Sequence, residues 1–124
     1  MSIALKRIYE PADRRDGRRY LVDRLWPRGI TKAGARLDGW PKELAPSPPL
    51  RKWFGHRPER FDVFRRRYAA ELASAPAELD RIVDESRRHR VTLLYGARDP
   101  RINHAVVLLH YLHGRLNAGV RRPG

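Results

Sequence analysis

The sequence predicts a small single-domain α/β fold, and three observations predict it. Strand-like segments at Ile3–Tyr9, Arg19–Trp26 and Val91–Tyr95 flank a helical middle. The last of them, Val91-Thr92-Leu93-Leu94-Tyr95, is a continuous apolar run of strand length, the pattern of a parallel strand covered on both faces. The 124 residues are one domain's worth and should bury roughly two-thirds of the unfolded surface. The expected architecture is a short mixed sheet with a parallel strand pair flanked by helices, in which the strands at 19–26 and 91–95 are parallel neighbours.

Each element follows from a local pattern. Ile3, Leu5, Arg7 and Tyr9 fall on one side of an alternating segment that Glu10-Pro11 ends. A turn-rich loop follows, with Asp16-Gly17 at its tip, and then the strand built on Tyr20-Leu21-Val22, stopped by Pro27 and Gly29. A helical crossover usually needs a dozen or more residues, so this short gap favours an antiparallel hairpin between the first two strands. Residues 29–49 carry Gly34, Gly39, Pro41, Pro46, Pro48 and Pro49 and read as loops with a turn or two of helix near 37–44. Ser47-Pro48 is an N-cap with Pro at the first helical position, opening a short helix that Gly55 closes. Phe61, Phe64, Tyr68 and Leu72 mark one amphipathic helix starting at Pro58, and Leu79, Ile82 and Val83 a second over 77–89. A final helix is expected from Pro100 to Leu116. The domain then spans residues 1–116, and 117–124 form a flexible basic tail.

Composition narrows the function. An apolar content of 41% with three Trp, five Tyr and three Phe supports a true core. With no Cys there is no disulfide framework, thiolate zinc site or cysteine nucleophile. No apolar run approaches the ~18 residues of a membrane span, and Met1–Lys6 lacks the apolar core of a signal peptide, so a cytoplasmic domain is expected. The 27 Lys+Arg against 14 Asp+Glu give +13, which invites a nucleic-acid or other phosphate-bearing partner. A GC-rich genome produces the same Arg-rich balance without any partner, Lys being confined to Lys6, Lys32, Lys42 and Lys52.

Two strand-to-loop junctions, Leu21–Gly29 and Leu93–Asp99, emerge at one carboxyl edge if their strands are parallel, and α/β folds bind ligands there. The helix opening at Asp99-Pro100 would add free N–H groups and a positive dipole end, with Asp99 as its N-cap. The anion-holding candidates are Arg7, Arg24, Arg28, Tyr95, Asp99, Asn103 and His104, with Arg28 presented by the stiff Trp26-Pro27 segment. Asp23 ends an apolar strand, so its carboxylate needs a partner such as Arg7, Arg24 or Arg28; that pair is either structural or catalytic. Asp23 and His56 are the acid–base candidates. Arg14, Arg15, Arg18 and Arg19 around the loop tip are the candidate nucleic-acid contacts. His110 and His113 share a helical face without a third ligand, which gives no metal site. Serine elbow motifs and Gly-rich phosphate loops are absent, and no cofactor is implied.

The strings Leu21-Val22-Asp23-Arg24-Leu25-Trp26-Pro27-Arg28-Gly29, Trp40-Pro41-Lys42-Glu43-Leu44-Ala45-Pro46-Ser47 and Leu50-Arg51-Lys52-Trp53-Phe54-Gly55-His56 carry a family resemblance. With Leu93-Leu94-Tyr95, Asp99, Asn103 and Ala105, they resemble the YeaO-like branch of the domain of unknown function 488 family, from about Lys6 to Leu116. The resemblance implies a compact bacterial α/β domain without an established activity. Where the wider family carries a Cys after this strand and a second Cys with His-Arg at the next helix, this sequence has Tyr95 and Asn103-His104, which removes thiol chemistry. Pro41 within the Trp-x-Lys-Glu-Leu segment should weaken the local helix. Three readings stand: a binding module for a phosphate-bearing anion, a small enzyme acting on an anionic substrate, and a non-catalytic interaction or regulatory domain.

Overall fold

The computed structural model describes residues 2–121, with side chains as far as Leu116. Three strands form one sheet: β1 (Ser2–Arg7), β2 (Arg18–Leu21) and β3 (Arg90–Tyr95), in the order β1-β3-β2. Five α-helices are interspersed: α1 (Lys32–Ala35), α2 (Pro48–Phe54), α3 (Phe61–Leu72), α4 (Pro76–Arg88) and α5 (His104–Arg121). The fold is α/β. β2 and β3 are parallel neighbours, as the apolar run implied, with Tyr20 opposite Leu93 and Leu21 opposite Leu94.

The sheet is wholly parallel rather than mixed, and the antiparallel hairpin does not form. β1 pairs with β3, from Ser2 opposite Arg90 to Arg7 opposite Tyr95, while β2 starts again opposite Val91. Residues 8–17 therefore run back along the full strand length. The ten residues hold a turn and one 3-10 turn, Arg14–Asp16, and no α-helix. Their full reach of about 30 Å exceeds the ~20 Å of a six-residue strand, which leaves slack for both turns. Gly17 makes the tight arrival possible. It sits at φ +67, and a Cβ there would lie 2.1 Å from the Arg90 carbonyl oxygen.

The pleat sorts the core into two faces. Val91, Leu93 and Tyr95 join Phe54, Phe64, Tyr68, Leu79, Leu108 and Leu112 in the main cluster. Leu94 points the other way and packs with Ile8, Leu21 and Ala35, covered by Trp26, Ile30, Leu37 and Trp40. The helices before and after β3 both contribute to the first face; α1 and the loop around it cover the second. That second face also holds a polar knot. Arg19 is only 4% exposed, bonds Asp16 at 2.5 Å and donates twice to the Ala35 carbonyl; Lys6 reaches Asp16 at 3.1 Å. Burial raises the Asp16 carboxyl, but hydrogen bonds from the Asp13 backbone, Lys6 and Arg19 outweigh it and hold the group below its ordinary value. Thr92 donates to the Asp16 carbonyl at 2.7 Å, tying the knot to the central strand.

The helix signals mostly hold. Ser47 caps α2 with Pro at the first position, and Gly55 closes it in the left-handed region. The 37–44 segment contains a single 3-10 turn, Lys42–Leu44, after Pro41. Helix α5 starts at His104, not at Pro100, because Asn103 is its cap: Oδ1 accepts from the Val106 N–H at 3.0 Å and Nδ2 donates to the Asp99 carbonyl. Asp99 instead closes a turn, accepting from the N–H groups of Arg101 and Ile102. Of the segment expected to form a tail, α5 includes residues as far as Arg121, and 122–124 lie outside the described residues.

Candidate functional site

Because β2 and β3 are parallel, the loops after Leu21 and Tyr95 leave the sheet at the same edge. Val22 extends the ladder by donating to the Leu94 carbonyl at 3.0 Å, which places Asp23 directly beside the start of the second loop. Asp23 Oδ2 accepts from the Gly96 N–H at 2.9 Å. Its Oδ1 stands 3.0 Å from Nε2 of His104, the first residue of α5. The same nitrogen lies 3.1 Å from the Val22 carbonyl, which can only accept, so Nε2 carries the proton. That proton is directed at the carbonyl, and Asp23 Oδ1 is left close to the imidazole with no hydrogen bond of its own. The partner of Asp23 is therefore an imidazole, not one of the three arginines the sequence offered.

Next to this pair opens a cavity of about 250 Å³. Its polar wall is Asp23, Arg24, Arg51, His56 and His104; its apolar wall includes Leu25, Pro46, Phe54 and Phe64. Arg24 is fixed by donating to the carbonyls of Pro46 and Ala45, both at 3.2 Å. His56 is held in the left-handed region, φ 57, directly after Gly55, with its ring 5.9 Å from that of Phe54. A non-glycine residue rarely adopts that conformation, and here it turns the imidazole back toward the end of α2. Two guanidinium groups and two imidazoles share this wall with the one carboxylate.

The other candidates lie elsewhere. Arg28 is exposed and does not line the cavity; only its carbonyl is engaged, by the Tyr9 hydroxyl at 3.1 Å. Arg7 donates to the carbonyls of Ala97 and Gly96, bracing the loop from behind. Tyr95 is buried in the core, which pushes its phenol above the ordinary value, and Asn103 is buried as the helix cap. Asp99 is exposed and committed to its own turn, and like Arg28 it does not line this cavity. Among the loop-tip arginines, Arg19 belongs to the interior knot. Arg18 meets Glu85 at 2.9 Å and Asp38 at 3.8 Å, Arg15 pairs with Asp13, and Arg14 is exposed. Arg51 was not singled out in the sequence, although its spacing of three from Phe54 places both on one side of α2. No group of three His, Cys, Asp or Glu could hold a metal among the described residues, and none of their helices is long and apolar enough to cross a membrane.

The family described as the inactive DUF488-N3 subclade matches residues 2–122. The chain belongs to this family. Its relatives include the uncharacterised protein YeaO of Escherichia coli (strain K12), 47% identical over 112 residues, covering 90% of this chain and 97% of that protein. The uncharacterised proteins Rv3073c of Mycobacterium tuberculosis and Mb3100c of Mycobacterium bovis are each 44% identical over 115 residues, covering 91% of this chain and 95% of theirs. No solved structure matches this DUF488 chain.

Proposed function

We propose that the chain is a binding module that takes a phosphate group, from a nucleotide or a nucleic-acid end, into the cavity beside Asp23. One observation carries the reading: Arg24, Arg51, His56 and His104 share that cavity with a single carboxylate, which already faces the Gly96 N–H and His104. Guanidinium forks match phosphate oxygens, and a partly enclosed site strengthens the attraction over that of a surface charge. The volume suits a phosphate with part of its ester rather than a drug-sized ligand, whose pockets run from roughly 300 Å³ upward.

Binding is favoured over acid–base catalysis. Asp23 is engaged in holding two backbone segments together, the chain has no Cys, and its family is described as an inactive subclade. The test is calorimetric titration of inorganic phosphate and nucleoside monophosphates into the parent protein and into Arg51→Ala. Arg51 is exposed and holds no other element, so its loss should weaken binding about tenfold without unfolding the chain. Equal affinities in the two folded proteins, or no heat with the parent, would remove the reading.

A further inference from the structure

The positive charge is not spread evenly. Residues 51–67 hold seven Lys and Arg against Glu59 and Asp62, so five of the thirteen net charges come from this short stretch. Asp62 is occupied by Arg65 and Arg66. Among the described residues, Lys52, Arg57, Arg60 and Arg67 make no ion pair with any carboxylate. Two of them share an aromatic ring: the guanidinium carbons of Arg60 and Arg67 lie 5.1 and 4.7 Å from the centroid of Trp53. Arg60 also donates to the Trp53 carbonyl. The two arginines are rooted seven residues apart, about two helical turns, so one half-buried indole anchors charges from both ends of that interval.

We infer that this face of α2 and α3 is a docking surface for single-stranded nucleic acid. Anchoring on an indole removes side-chain freedom before any ligand arrives, so less is lost when each guanidinium meets a phosphate. The guanidinium planes are also flat groups on which the unstacked bases of a single strand, unlike those of a duplex, can lie. A membrane is the poorer fit, because the two large exposed apolar side chains among the described residues, Tyr9 and Leu25, belong to other segments. The surface is separate from the phosphate cavity. Arg51 and Trp53 are two positions apart on α2 and point to different sides, so the two proposals can fail independently.

The experiment follows the anisotropy of labelled oligo(dT) and oligo(U) of about 20 nucleotides, with a duplex of equal length, at about 50 and 200 mM salt. Arg60→Ala/Arg67→Ala is compared with Arg14→Ala/Arg15→Ala, which removes the same charge from another surface. The expected result is a loss of about tenfold in single-strand affinity for the first pair and less than about twofold for the second. Arg67→Ala alone, which leaves the Arg60 contact to the backbone intact, should lose at least about threefold. Arg60→Lys/Arg67→Lys, with charge retained, should recover only part of the loss. Equal losses in the two alanine pairs would reduce the effect to net charge and overturn the proposal. So would a parent that prefers duplex, that prefers vesicles of anionic phospholipid, or that binds no oligonucleotide at the lower salt.

Discussion

His104 Nε2 lies 3.0 Å from Asp23 Oδ1, so the first residue of α5 is tied to the loop that leaves β2, across the edge where β3 ends. Asp23→Asn can keep an oxygen toward the Gly96 N–H only by turning its amide NH2 toward the Nε2–H of His104. That N–H already serves the Val22 carbonyl, so two donors then face each other. The side chain is 20% exposed, so the cost falls below the roughly 3–5 kcal/mol of a fully buried broken pair. A loss of about 1–3 kcal/mol is expected, with Tm lower by about 5 °C or more. A variant melting within a degree or two of the parent would mean that water can replace both contacts.

Asp16 gives the fold an acid-sensitive point. Its folded-state pKa is depressed, so its contribution is fully present above the unfolded value near 3.8 and is lost as the pH falls through the lower folded value. Asp16→Asn leaves Lys6 and Arg19 facing a neutral amide and should cost about 3 kcal/mol at pH 7. Denaturant melts at descending pH should show the gap between parent and variant narrowing below 3.8. A gap independent of pH would assign the loss to packing.

Asn103→Ala removes the cap of α5 and the bond to the Asp99 carbonyl together. The expected loss is about 1–2 kcal/mol, at the upper end for a cap because the side chain is buried. Asp99→Ala, at an exposed turn, should cost less than half as much in the same urea titration. The reverse order would return the helix start to Pro100.

Arg28→Ala should change neither phosphate affinity nor stability by more than about 0.5 kcal/mol, since the exposed side chain lies outside the cavity wall. Calorimetry and thermal melting of Arg28→Ala beside Arg51→Ala give the comparison. A loss of affinity on removing Arg28 would move the site to the Trp26–Gly29 loop.

The α/β class and the parallel β2–β3 pair were legible because Val91–Tyr95 has no polar face to show to water. Ser47, Gly55 and the Phe64–Tyr68–Leu72 stripe were legible because caps and helical periodicity act within a few residues. The pairing of β1 was not, since a short gap suits a hairpin locally and only the distant β3 decides otherwise. Arg19 illustrates the same limit. Beside Arg18 it looks like half of a surface patch, but a strand alternates sides, and Arg18 faces Glu85 while Arg19 turns inward to Asp16. At the site, chain order placed Asp23 next to Arg24 and could not show that residue 104 would stand closer. Arg28 stands outside the cavity, since a stiff loop fixes where a side chain starts and says nothing about what it faces.

The strand order has a consequence for how the chain acquires its shape. β1 and β2 are complete within the first 21 residues, yet apart from a single bridge between Tyr20 and Gly39 their pairing partner is β3, which begins at residue 90. During synthesis neither strand can complete its pairing while the chain between them and β3 is made. Helices α2, α3 and α4 can assemble from local contacts in that interval, so pulse-labelled hydrogen exchange should find their amides protected first. Protection of β1, β2 and β3 should then arrive in a single later phase. A chain released before Arg90 would keep helical signal in circular dichroism but have no strand to template its sheet, leaving Leu5, Leu21 and their neighbours open to association with other nascent chains.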